Sequence, residues 1–211
     1  GADELTAACA ARGLQSLELR DGDAHDAASS PAAAARVVAL AAVAGVEIAA
    51  LLASSENDTV AGTDALGAVS HALNAPIVVG NGDLIDRIVM SHNIRFAGGV
   101  ALPLVGGADC VRDAQVLAEA GLPYAWQADP AETDIEQTFA LLPDTADRLH
   151  YIRYTGGGPE SVMHDGRNVG SFMARLALSG YRGAFVLTPS SHEYRVIWRA
   201  WLGRRGGWGC G

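Results

Sequence analysis

Four times in this chain a helical stretch stops on a glycine and an apolar strand begins one residue later, at Arg12-Gly13-Leu14, Ala44-Gly45-Val46, Ala120-Gly121-Leu122 and Arg182-Gly183-Ala184. Glycine tolerates the left-handed backbone that ends a helix, so its recurrence at this junction reads as successive α/β units. The strand candidates number seven: 14–20, 46–54, 75–81, 99–106, 123–129, 149–155 and 183–189. Most are apolar on both faces, as parallel strands covered by helices require. Between them, SPAAAARVVALAAVAG opens on Ser30 as N-cap with Pro31 at the first helical position and closes on Gly45, and ADCVRDAQVLAEAG closes on Gly121. Such a series folds as an open doubly wound sheet or as a (β/α)8 barrel. A barrel of eight strands takes about 250 residues, and this chain has 211. A first strand is therefore absent, or the barrel is incomplete, or an eighth strand lies in DRIVMSHNIRF, Asp86 to Phe96.

Composition narrows the functions. Apolar residues make up 49% of the chain, yet no run approaches the roughly 18 apolar residues of a membrane span. Residues 1–202 read as one globular domain, and 203–211 as a glycine-rich tail. GADELTAACAARG carries neither a basic leader nor a cleavage site, so a cytoplasmic setting is expected. All fifteen basic residues are arginine. Without lysine there is no Schiff base, no pyridoxal phosphate anchor and no Walker A loop. The net charge of −9, with Arg204-Arg205 as the sole basic cluster, speaks against nucleic acid and anionic membranes as partners. Cys9, Cys110 and Cys210 are too few and too scattered for a disulfide framework or a zinc knuckle. The pair in GNGD, Gly80 to Asp83, lacks the third glycine of a dinucleotide fingerprint, so no cofactor is expected.

The opening ELTAACAARGLQSLELRDGD and the ending FMARLALSGYRGAFVLTP resemble those of the xylose-isomerase-like TIM barrels, a superfamily of sugar isomerases and epimerases. The similarity spans most of the chain and rests on pattern. It implies a TIM-barrel-like α/β fold and, in ordinary members, a divalent metal held by Glu, Asp, His and Glu from four successive strands. Carried across, that set fails here. Leu104 and Val105 stand near the first glutamate, Asp129 matches the aspartate, Glu132 replaces a histidine that usually follows it, Arg153 stands where the histidine belongs, and Thr188 replaces the last glutamate. No metal site is expected from such residues, because a guanidinium has no lone pair to give.

Several strand-end residues still carry chemistry. Active sites of barrels form at the C-terminal strand ends. Glu18 interrupts an apolar strand, and inside a barrel it would suit a general acid or base; its bland alternative is an ion pair with Arg20 or Arg153. Asp129 is either an acid–base group or a helix N-cap. Arg153 leads directly into Gly156, Gly157 and Gly158, a run whose backbone N–H groups could cradle an anion or merely form a solvent loop. His192 follows the capping-box pair Ser190 and Glu193, and the helix dipole would favour its neutral form as a base. Arg20, Glu132, Tyr151 and Thr188 complete the substrate-binding candidates. His150 opens a strand and is expected to be buried at the lower rim; His25 and His71 read as loop and helix surface, and His92 and His164 have no assigned place. Trp198 and Trp201 read as a packing face. The expected function is metal-independent acid–base proton transfer on a small, polar and anionic metabolite: an isomerisation, dehydration or cyclisation by an isomerase or lyase. The alternatives are a silent barrel that binds a ligand or protein partner, and an ordinary metal-dependent isomerase. A homo-oligomer is left open.

Overall fold

The structure is a computed structural model, and it describes residues 2–11, 16–20, 30–53, 60–129, 135–155 and 169–187. The seven strands are β1 Ser16–Arg20, β2 Glu47–Ala53, β3 Ile77–Val79, β4 Ala101–Val105, β5 Tyr124–Ala128, β6 Leu149–Tyr154 and β7 Ala184–Leu187. Helices alternate with them: α1 Ala2–Ala11, α2 Pro31–Ala44, α3 Val60–Leu73, α4 Leu84–Phe96, α5 Cys110–Glu119, α6 Ile135–Thr145 and α7 Val169–Leu178. All seven expected strands are present. The chain forms two compact units, residues 1–104 and 105–211.

In the first unit β1, β2, β3 and β4 pair side by side, every pair parallel. In the second, β5, β6 and β7 do the same. The segment that sequence left open as an eighth strand is helix α4. Its start is fixed by a capping box: the Asp83 carboxylate accepts from Asp86 N, and the Asp86 carboxylate accepts from Asp83 N. Its β-branched residues mislead, because Ile94 packs inward while Val89 is left in solvent.

The helix-to-strand junction repeats one hydrogen-bond pattern. At Gly45, with φ 64, Val46 N donates to Ala41 O at 2.9 Å. At Gly121, with φ 68, Leu122 N donates to Leu117 O at 2.8 Å. Each is the six-residue closure that a left-handed residue makes possible, and it satisfies a helix-end carbonyl before the strand begins. Ser30 caps α2 as expected, its hydroxyl accepting from Ala33 N at 3.1 Å. The last junction departs from expectation. The left-handed glycine after α7 is Gly180, with φ 86, while Gly183 sits against the His150 carbonyl, where any Cβ would collide.

Each unit has its own core. In the first, Leu17, Leu19, Leu51, Ile77 and Ile94 are completely buried. In the second, Trp126 meets Phe139 edge-on at 6.3 Å, and Phe172 lies within 6 Å of Trp126, Phe139, Tyr154 and Phe185. No helix among the described residues is long and apolar enough to cross a membrane.

Candidate active site

Alternation along β5 and β6 sorts their side chains. Tyr124 and Trp126 point toward the helices: the Tyr124 hydroxyl donates to Thr145 Oγ1 on α6, and Trp126 packs on Phe139 and Phe172 of α6 and α7. Tyr154 does likewise on β6. A strand turns alternate side chains to opposite faces, so Ala125, Gln127 and Asp129, with Tyr151, Arg153 and Thr155, share the helix-free face.

The register then makes rungs. Ala125 lies opposite Tyr151, and Gln127 opposite Arg153. Arg153 Nη1 donates to Gln127 Oε1 at 3.2 Å. One step further toward the C-terminal ends, Thr155 Oγ1 donates to Asp129 Oδ2 at 3.2 Å, and Thr155 N continues the ladder to Ala128 O. Arg153 is 6% exposed, Tyr151 is fully buried and Asp129 half-buried. A guanidinium this deep can be kept only with hydrogen-bond partners, which the Gln127 amide begins to supply. Gln127 was not singled out from sequence. Its signal was its spacing of two from Asp129 in an otherwise apolar strand.

In the first unit the corresponding face is nearly all hydrocarbon. Glu18 is registered with Ala50 and Arg20 with Leu52, and the row continues through Val78 to Leu102. Glu18 is 3% exposed. Val105, turned the other way from Leu104, lines a small cavity with Cys110, Ala114 and Thr138, so the Glu18 row faces away from the helices.

The remaining candidates divide clearly. Arg20 closes β1. Glu132, Gly156, Gly157, Gly158, Thr188 and His192 lie outside the described residues, as do His25, His164, Ser190, Glu193, Trp198, Trp201 and the tail 203–211. The reading of Asp129 as a helix N-cap runs into residues 130–134, also outside them. His150 is exposed, which corrects its expected burial. His71 and His92 are exposed on α3 and α4. The Cys110 thiol is buried beside Thr138, and burial pushes its pKa up to about 12, so it is a packed hydrophobe at neutral pH.

No protein-family model matches the chain, and no curated protein matches it in sequence. Solved structures do match its fold. A 3-keto-D-glucoside 4-epimerase of E. coli superposes with a TM-score of 0.63 at 15% identity, covering 92% of this chain and 89% of its own. A D-psicose 3-epimerase of Clostridium cellulolyticum H10, solved with D-tagatose, gives 0.61 at 12% identity, covering 89% and 78%. A xylose isomerase domain protein of Planctomyces limnophilus gives 0.61 at 11%, covering 86% and 84%. The chain therefore shares the TIM-barrel-like α/β fold of these proteins, with seven strands among the described residues.

The divalent metal that the family resemblance implies does not fit the residues at the matching positions. Leu104 and Val105 are buried hydrocarbon, Arg153 is a cation bonded to Gln127, and among the described residues at these positions Asp129 is the one carboxylate. Among the described residues no three His, Cys, Asp or Glu side chains come together. Divalent cations want several converging oxygen or imidazole ligands.

Proposed function

We propose that this protein is an isomerase- or epimerase-like enzyme that moves a proton at a carbon next to a carbonyl, on a small polar anionic metabolite, using side chains in place of a divalent metal. The observation that supports it is the pair of rungs Gln127–Arg153 and Asp129–Thr155 at the C-terminal ends of β5 and β6. The fold is shared with sugar epimerases, and it puts active sites at that end of the strands. Asp129 would take the proton from carbon and return it. Arg153 would donate N–H bonds to the oxygen that becomes negative as the enediolate forms. Glu18 is the acid–base candidate of the first unit. The Thr155 hydroxyl donates to Asp129 Oδ2 and helps fix the carboxylate's orientation.

The test is loss of a carbon-bound proton to deuterated water, followed by NMR over a panel of ketoses, aldoses and their acids. Asp129→Asn should abolish exchange while the fold persists, and Arg153→Ala should weaken binding of an anionic substrate by roughly 1.5 to 3 kcal/mol. Exchange should survive EDTA, and elemental analysis should find substoichiometric metal. Loss of exchange in EDTA, restored by a divalent cation, would replace this reading with the ordinary metal-dependent isomerase. Ligand binding without exchange for any panel member would replace it with the silent barrel.

A further inference from the structure

We infer that the outer face of helix α4 is a contact between two copies of this chain, which pair α4 against α4, antiparallel, about a two-fold axis near the middle of the helix. A surface helix normally turns polar residues outward. Along its crest α4 does the reverse. Met90, Ser91 and Ile94 are buried on its inner side, and helical periodicity puts Ile85, Val89, His92 and Phe96 on the side opposite them. Ile85 is 69% exposed, Val89 53% and Phe96 90%, with His92 exposed among them. Spaced four, three and four residues apart, they form one continuous stripe, the spacing of a coiled-coil seam.

The spacing itself selects a second copy as the occupant. It reads four, three, four from either end, so a copy laid antiparallel sets Ile85 against Phe96 of the partner subunit and Val89 against His92 of the partner subunit, and the axis repeats both pairs. A two-fold axis of this kind brings each flank of the stripe against the same flank of the partner. One flank holds Asp86 and Asn93, both exposed. There the Asp86 carboxylate meets an amide, which can donate to it. The other flank holds Ile88 and Arg95, both half-buried. Arg95 turns its head to the Ala101 carbonyl, Nη2 donating at 2.7 Å, so its aliphatic stem is what faces an isoleucine.

No facing pair sets like charges together. The chain as a whole carries −9, which repels copies at a distance, but the stripe and its two flanks balance one aspartate against one arginine. An unrelated partner would have to reproduce the spacing and both flanks independently, whereas a second copy supplies them by symmetry. At 1.5 Å per residue the stripe runs about 17 Å, so the contact belongs to the small class of interfaces. Association is therefore weak, on the order of 10 to 100 µM.

The experiment is sedimentation equilibrium of the intact chain from about 1 µM to 1 mM, with circular dichroism as the folding control. The mass should rise from one chain of 21.8 kDa toward two. Phe96→Glu should weaken association about 100-fold, because an aromatic anchor is lost and a charge enters the seam. Val89→Glu and His92→Lys should each weaken it about tenfold, and the double variant, which sets opposite charges face to face across the axis, should restore the wild-type value. Val43→Glu, at a residue 89% exposed on α2, should change nothing. A single-chain mass at every concentration, the result if another segment of the same chain or a different protein covers the stripe, overturns the inference. So does a dimer that Val43→Glu disrupts or that the three stripe variants leave intact, because the contact then lies elsewhere. If the single variants dissociate the pair and the double variant does not restore it, the antiparallel register is wrong and the inference falls. Masses that climb beyond two chains overturn the closed two-fold pairing.

Discussion

The two units use the same helix-turn-strand construction and present opposite surfaces on their helix-free faces. In the first, the row Ala50, Leu52, Val78 and Leu102 is hydrocarbon, with the charged residues Glu18 and Arg20 registered beside it on β1. In the second, the row is a polar ladder, while the opposite face of the same strands holds the aromatic cluster around Phe172. Packing requires only that strands be apolar toward helices, so a polar residue on the other face is a departure that folding does not ask for. Such departures from the local rule mark candidate sites. By that measure the second unit carries most of the chemistry, and it balances a buried cation with an unusually aromatic core.

The strongest way to break this contrast is at that core. Trp126→Ala should cost about 3 to 5 kcal/mol in urea unfolding, because a fully buried indole and its ring contacts are lost. Trp126→Phe should cost far less than its volume change suggests, since among the described residues Trp126 Nε1 is buried with no hydrogen-bond partner. An alanine variant within about 1 kcal/mol of the wild type would show that the cluster does not organise the second unit.

A smaller effect separates the units by pH. Burial, opposed by the hydrogen bond to Thr145, pushes Tyr124 up to about 12. Burial likewise carries Cys110 to about 12 and Tyr181 well above its ordinary value. All three lie in the second unit. Each favours its neutral form when folded, so its stabilisation is intact below the unfolded pKa and is lost as pH rises through that value toward the folded one, on the order of 3 kcal/mol for Tyr124 and 4 kcal/mol for Cys110. Tyrosinate absorbance and circular dichroism should therefore change together in a late, cooperative alkaline transition, with first-unit helix signal lost after second-unit tyrosines ionise. Early, non-cooperative ionisation of all tyrosines would remove the asymmetry.

What was legible in the sequence was punctuation. Ser30-Pro31, Gly45 and Gly121 announce helix ends because capping is local, set by residues within one turn. The N-cap of α4, Asp83, sits in GNGD, whose two glycines mask the Asp-x-x-Asp capping spacing. The site was half legible. Asp129 and Arg153 stood out as charges at strand ends, but Gln127 acquires meaning only from its register with Arg153, which depends on how two distant segments pair. His150 was expected to be buried because it opens an apolar strand, but it falls at the register shift between the Tyr124–Leu149 and Ala125–Tyr151 pairs, and a shift is not legible in one strand alone.

The smallest effect probes whether local signals in the first unit stay local. Ser30 is exposed, and its one structural task is to satisfy Ala33 N at the start of α2. Replacing it with alanine leaves Pro31 at the first helical position and the Gly45 closure untouched, so only the cap is lost, at about 1 kcal/mol. Hydrogen exchange should show the loss as reduced protection in α2 and in its partner β2, while the Trp126 cluster of the second unit keeps its protection. A loss of the same size spread over both units would show that they unfold as one, and that the division between a hydrocarbon half and a chemical half describes composition without describing stability. A loss confined to α2 would show that the two halves can be tuned separately, so that variants of the polar ladder can be read for binding without correcting for the rest of the fold.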